Sequence, residues 1–207
     1  MSEKITKFSQ NDYEVTQRDL LYDGIFRMAR YHLRHRKFNG EWSSTFTREV
    51  MERKSAAAIL PYDPVLDRVI LIEQFRAGSL ANPESPWLIE VVAGVYTDEM
   101  PLEVAIREAD EEAGCKILDI QQICEYFVSP GGSNEYLHLY CGRVDASDAG
   151  GIHGLADENE DIRAISLPLD EAYKMVQEGK IKTSPAIISL QWLQLNREWL
   201  KQLWQTR

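Results

Sequence analysis

The sequence is poor in the features that mark secreted, membrane-embedded or nucleic-acid-binding chains. Its three cysteines, Cys115, Cys124 and Cys141, are odd in number and form no CxxC pair, so neither a disulfide framework nor a cysteine-rich zinc site is expected. The thiols read as packing groups. No apolar run approaches the ~20 residues that a membrane-spanning helix needs, and the opening segment MSEKITKFSQND lacks the apolar core of a secretory signal. A cytoplasmic protein with no membrane partner is expected. Positive charge is short as well: 23 Lys and Arg stand against 33 Asp and Glu, for a formal charge of −10. That balance repels a phosphate backbone and argues against nucleic acid as a partner. What remains is ordinary for a folded chain: 207 residues, 44% hydrophobic and 27% charged, enough for one fully cored domain and an appendage.

No repeat or low-complexity stretch divides the chain, so its organisation must come from changes of pattern. Residues 13–54 read as a small antiparallel unit, because Asn39-Gly40 lies between two extended-looking segments, Phe26 to Arg36 and Trp42 to Val50. Apolar strands follow at Ala56 to Leu60, Val69 to Phe75 and Trp87 to Val92. A helix is expected at 101–113, then strands at Ile117 to Val128 and Tyr136 to Val144, a loop at 145–161 and a strand near Ile162 to Leu167. Helices near 169–178 and 185–204 close the chain, the last with Ser184 as N-cap and Pro185 at its first position. Ile187, Leu190, Leu193, Trp199 and Leu203 would form its core or contact stripe. Strands with few helices predict an α/β fold, a mixed sheet covered by helices.

The segment EMPLEVAIREADEEAG, Glu99 to Gly114, is the most informative. Pro101 opens a helix and Gly114 can stop it in a left-handed conformation. At ~100° per residue from Leu102, the side chains of Leu102, Ala105, Ile106, Ala109 and Ala113 fall within about 60° of 0°, which predicts the buried stripe. Glu108, Glu111 and Glu112 fall at about 240°, 180° and 280°, on one face, and Asp110 near 80°, on another. Each like pair at i, i+3 or i+4 destabilises the helix by roughly a few tenths of a kcal/mol. A hard divalent cation, Mg²⁺ or Mn²⁺, would offset that repulsion and take phosphate oxygens as further ligands. A generic acidic helix would more simply be a solvated face, with Glu103, Arg107 and Glu111 paired at i, i+4.

The order of residues decides between them. Gly94, Glu99, Arg107-Glu108-Ala109 and Glu111-Glu112-Ala113-Gly114-Cys115 resemble the signature box of the Nudix hydrolases, which cleave nucleoside diphosphates linked to another moiety. Four residues separate Gly94 from Glu99, where the family usually has five. FRMARYHLRHRKFNG, VILIEQFR, PWLIEVVAG, SPGG and GIHGLADENEDI extend the likeness to the bacterial ADP-ribose pyrophosphatases of that family, in which a proline about fifteen residues beyond the box marks ADP-ribose. Pro130 lies 130 − 115 = 15 past Cys115.

The resemblance implies a Nudix α/β/α sandwich at 55–207 and, at 1–54, a β subdomain for dimerisation and substrate contacts, exchanged between the subunits of a homodimer. It implies hydrolysis of ADP-ribose to AMP and ribose 5-phosphate with two or three Mg²⁺ ions, held by Glu108, Glu112 and the Ala93 carbonyl. Glu111 would act through water or as a further ligand, Arg107 would orient the carboxylates, and Glu158, with Glu160 as second choice, would be the general base. Arg48, Arg53 and Arg76 would contact the pyrophosphate. Phe26 would stack on adenine, and Ser129, Pro130, Gly131 and Glu135 complete the substrate set. Without the resemblance each arginine is a surface residue, Phe26 is core, Ser129 to Gly132 is a turn and the acidic loop is solvated. Two rival functions stay open: hydrolysis of another nucleotide sugar such as GDP-mannose, and non-catalytic sensing of ADP-ribose. An intact Glu108, Glu111, Glu112 set favours an enzyme, since a pure binder needs no activated water.

Overall fold

The computed structural model describes residues 7–155 and 159–205. They fall into two units, one built from the chain up to Arg53 with Phe127–Glu135, the other from Lys54–Tyr126 and Tyr136–Arg207.

The first unit is an antiparallel sheet in the order β1 (Tyr13–Asp23), β2 (Arg27–His35), β3 (Phe46–Glu52). Gly40 turns the chain between β2 and β3 with φ at 84°, a conformation that glycine adopts without steric strain. Its N–H donates to the Lys37 carbonyl at 2.9 Å. The second strand of this hairpin starts later than the sequence suggests, because Trp42 makes only an isolated bridge to Arg36. Ser43 N–H donates to the His35 carbonyl at 2.8 Å while its hydroxyl takes the His35 N–H at 3.1 Å, so a side chain supplies half of that pairing. The segment 127–135 is tied on by Met51 N–H to the Gly132 carbonyl at 2.9 Å and Arg53 N–H to Asn134 Oδ1 at 2.7 Å. Among the described residues of this unit Ala29 is the one fully buried hydrophobic, while Val15, Leu20 and Tyr22 are 47%, 46% and 63% exposed.

The second unit is built on a mixed eight-stranded sheet. Its strands are β4 (Ala56–Asp63), β5 (Arg68–Phe75), β6 (Trp87–Glu90), β7 (Val92–Val95), β8 (Asp119–Phe127), β9 (Tyr136–Arg143), β10 (Gly151–His153) and β11 (Ile162–Pro168). The order is β10-β11-β5-β4-β9-β8, with β6 on β5 and β7 on β4. The β4–β9 pair is parallel and the pairs of β4 and β5 with their other partners are antiparallel. Side chains alternate between two cores. Ala57, Ile59, Ile70 and Ile72 pack with Val104, Ala105 and Ala109 of α1 (Pro101–Ala113). Leu60, Tyr62, Val69 and Leu71 pack with α2 (Leu169–Gln177) and α3 (Ser184–Gln205). A sheet covered on both faces explains why AAAILPYD of β4 is buried along its whole length. The result is the expected α/β/α sandwich with its mixed sheet.

Three local expectations shift. β10 lies inside the segment read as loop, since Gly-Ile-His is too short to show a period. The α3 helix begins at Ser184, with Ile187 N–H bonded to the Thr183 carbonyl at 3.0 Å, so Ser184 is helical rather than the cap. Its buried side is Ala186, Leu190, Leu193, Leu200 and Trp204, whereas Trp199 is 46% exposed and meets Trp192 edge-on. Cys115 and Cys141 are buried free thiols; burial pushes the Cys115 thiol up to about 11. No described helix is long and apolar enough to cross a membrane.

Asp67, between β4 and β5, ties α3 to the sheet. It sits at φ 57° and accepts from Tyr62 Oη at 2.7 Å and Arg197 Nε at 3.0 Å, with Lys201 Nζ at 3.2 Å. The Arg197 side chain is only 22% exposed. Arg197→Met should therefore lower unfolding stability by about 1–3 kcal/mol, between the values for surface and buried pairs. The check is a lower urea midpoint at unchanged m-value.

Candidate active site

The split of β6 from β7 positions the site. β4 and β5 pair directly only at Tyr62–Asp63 with Arg68–Val69. Beyond that, β5 pairs with β6 and β4 with β7, so the run WLIEVVAG fills the gap between diverging strands. It carries Ala93 and Gly94 to the sheet face that α1 covers.

There Gly94 is required by contact rather than by backbone angle. A Cβ on Gly94 would lie 2.0 Å from Glu108 Oε1 and 2.3 Å from its Cδ, so the carboxylate occupies the space a side chain would take. At the far end of α1, Gly114 ends the helix at φ 60°, as the sequence predicts. The buried arc of α1 is rotated from the predicted stripe: Val104, Ala105, Ala109, Glu112 and Ala113 are buried, while Leu102 and Ile106 are 39% and 41% exposed. The small residues lead because Gly94, Ala93 and Ala57 let the helix approach closely on that side. This rotation draws Glu112 inside the buried arc.

Glu112 is 3% exposed. Desolvation pushes its carboxyl up to about 8, against the Ala93 N–H, which donates to Oε2 at 3.1 Å; the charges of Glu108 and Glu160 push the same way as burial. Glu108 is raised too, first by desolvation and then, against the pull of Arg107, by Glu111 and Glu160. Arg107 braces the row, with Nη2 3.0 Å from Glu108 Oε1 and 3.7 Å from Glu99 Oε2, and Nη1 2.7 Å from Glu111 Oε2. Arg76 Nε donates to Glu90 Oε2 at 2.8 Å, and its charge acts on Glu112. The acidic loop is closed at its base, where Leu155 N–H reaches Glu160 Oε2 and Glu160 N–H reaches the Leu155 carbonyl, each at 3.2 Å. Glu158 lies outside the described residues.

The expected ligands Ala93, Glu108, Glu111 and Glu112 thus stand at one end of the site, yet among the described residues no three His, Cys, Asp or Glu side chains converge to hold a metal ion. Arg107 is interposed between Glu108 and Glu111. The donor set still fits a hard cation: all oxygen, with the Glu108 and Glu112 carboxyls driven upward first by desolvation.

The expected substrate residues of the first unit also meet. The Arg53 guanidinium lies 5.0 Å from the Phe26 ring centroid, and its Nη1 donates to Glu135 Oε2 at 2.8 Å. Glu135 belongs to the segment of Ser129, Pro130 and Gly131, which turns back through Ser133 N–H to the Ser129 carbonyl at 2.9 Å. Phe26 is 48% exposed, not core. Arg48 stands apart, its Nη1 on the Thr47 carbonyl at 2.8 Å and its guanidinium over Phe46. Sequence reasoning missed Glu90. The available signal was its place in a strand beside VVAG, on the same face as Ile72.

This fold, with a helix of braced carboxylates against a strand glycine, defines a class, and comparison with known proteins names it. A model of the NUDIX domain matches residues 51–187; the chain belongs to the Nudix family. It is 47% identical over 198 residues to the ADP-ribose pyrophosphatase of Escherichia coli strain K12, with 95% of each chain covered. It is 34% identical over 183 residues to the GDP-mannose pyrophosphatase of Pectobacterium atrosepticum, covering 86% of this chain and 92% of that one. A crystal structure of an ADP compounds hydrolase superposes with a TM-score of 0.68 at 21% identity, covering 95% of this chain and 98% of that one, a likeness of fold.

The elevated Glu112 sets a pH dependence. A carboxyl near 8 in the folded state and near 4.5 in the unfolded state binds its proton more tightly when folded, so stability is greatest at low pH and falls as pH rises through this window. Metal-free protein should lose about 1.4 kcal/mol per pH unit from this group between pH 5 and 8. Glu112→Gln should flatten that slope and remove stabilisation by added Mg²⁺. An unchanged slope in urea titrations at pH 6, 7 and 8 would contradict the assignment.

Proposed function

We propose that the protein hydrolyses ADP-ribose to AMP and ribose 5-phosphate. The observation that carries this reading is the desolvated Glu108 and Glu112 pair held against Gly94 and Ala93. Such a pair is costly in an idle helix and suited to a cation that also binds pyrophosphate. The substrate assignment draws on the relatives: the one named for ADP-ribose is 47% identical, the one named for GDP-mannose 34%.

In this reading Glu108, Glu112 and the Ala93 carbonyl hold Mg²⁺ or Mn²⁺, two or three ions in all, with Glu111 assisting. When bound, such ions lower the pKa of a water and neutralise charge on the pyrophosphate. Arg76, presented by Glu90, binds a phosphate; Arg48 and Arg53 supply further positive charge. Phe26 stacks on the nucleobase, with Glu135, Ser129, Pro130 and Gly131 shaping its surroundings. Glu158 takes the proton of the attacking water, since carboxylates already spent on a cation are poor acceptors. Glu160 closes the loop that bears it. The protein works as a cytoplasmic homodimer through its N-terminal units, whose sheet leaves Val15, Leu20 and Tyr22 bare.

Purified protein with Mg²⁺ should release AMP and ribose 5-phosphate from ADP-ribose in preference to cleaving GDP-mannose; the reverse preference would move the assignment to the rival sugar. Glu158→Gln should lower kcat by ~10²–10⁴ with little change in KM, and Glu160→Gln should be milder. The inverse order would place the base on Glu160. Size-exclusion chromatography with light scattering should return twice the chain mass of 23.8 kDa.

A further inference from the structure

Alternation along β5 puts Gln74 on the face of Ile70 and Ile72, which α1 covers. Cross-strand register agrees, with Gln74 opposite Leu88 and Ile72 opposite Glu90. Arg76 follows two residues on and holds Glu90. On its other edge β5 runs against β11 with Ile72 opposite Ala164 and Glu73 opposite Arg163. Gln74 therefore lies level with Ile162, the first residue of β11, and two residues before Arg76 on β5.

Gln74 is 7% exposed, and its amide nitrogen is buried with no hydrogen-bond partner among the described residues. A buried unpaired donor destabilises the fold, and a position flanked by Ile72 and Leu88 would pack an apolar side chain better. We propose that Gln74 is a specificity-determining residue whose amide hydrogen-bonds the hydroxyls of the sugar joined to the second phosphate. This rests on the nucleotide-sugar reading above and names the part of the substrate that Gln74 reads. Arg76 already offers a guanidinium to phosphate, to which a neutral amide adds little. A hydroxyl both donates and accepts, and so matches an amide, which carries both functions. The terminal amide torsion is soft and two-fold, so a half-turn exchanges nitrogen and oxygen to suit the ligand.

The test is calorimetric binding, in Mg²⁺, of α,β-methylene ADP-ribose and of α,β-methylene ADP, which lacks the sugar, to wild type, Gln74→Leu and Gln74→Met. A site that loses a hydrogen bond to a substrate hydroxyl discriminates against it strongly. Both variants should bind the sugar-bearing analogue at least about tenfold more weakly and the sugar-free one within about twofold, with undiminished thermal stability. Should the leucine variant fail to fold, the methionine variant carries the same comparison. Unchanged affinity for the sugar analogue, or equal losses for both ligands, would overturn the role of Gln74 while leaving the ADP-ribose reading intact. Wild type that binds neither analogue would refute that reading and this inference together.

Discussion

The close approach of α1 to β7 is the constraint on which the site depends. Glu108 lies where a Cβ of residue 94 would be, and Glu112 is sealed against the Ala93 amide. A side chain at position 94 would displace the Glu108 carboxylate, and a helix set farther out would break the Glu112 bond to the Ala93 N–H. Burial then does the electrostatic work: desolvation outweighs the available donors and drives both carboxyls upward. The helix thus keeps unfavourable free energy that a cation would relieve.

The sheet makes that approach possible by not closing. If β4 and β5 paired throughout, no strand could bring backbone amides to the carboxylate end of α1. Their early divergence admits β6 and β7, and one short run then serves two ends. Glu90 on β6 holds Arg76, while Ala93 and Gly94 on β7 hold Glu112 and Glu108. The carboxylates of α1 and the guanidinium of Arg76 are thereby held from within five residues of backbone, on rigid elements rather than on a loop.

Much of this was readable in the sequence, and the misses have physical causes. The helix limits Pro101 and Ala113 follow from proline at the start and glycine at φ 60° after the end. The Asn39-Gly40 turn follows from the need for positive φ. The predicted stripe of α1 holds at Ala105, Ala109 and Ala113, but the arc is rotated toward Val104 and Glu112 and away from Leu102 and Ile106, because close approach favours the side of the small residues rather than the most apolar side. For Trp199 the core alternative of the stripe does not hold, because Leu200 and Trp204 take the core at that end of α3. β10 has too few residues for any period. The partners of Arg53 and Arg76 lie 82 and 14 positions away, so those pairs depend on register, which local pattern does not carry.

Register also fixes where positive charge is held in a chain of charge −10. Arg53 is held by Glu135, Arg76 by Glu90 and Arg107 by Glu99, Glu108 and Glu111. Each carboxylate offsets the long-range charge of its arginine while fixing the direction of the guanidinium. A guanidinium has five donors in a rigid fork, and a carboxylate pair occupies only part of them. The remaining donors stay aimed, with their rotamer entropy already lost on folding, so binding phosphate need not order them again. Excess negative charge elsewhere then acts against nonspecific polyanions.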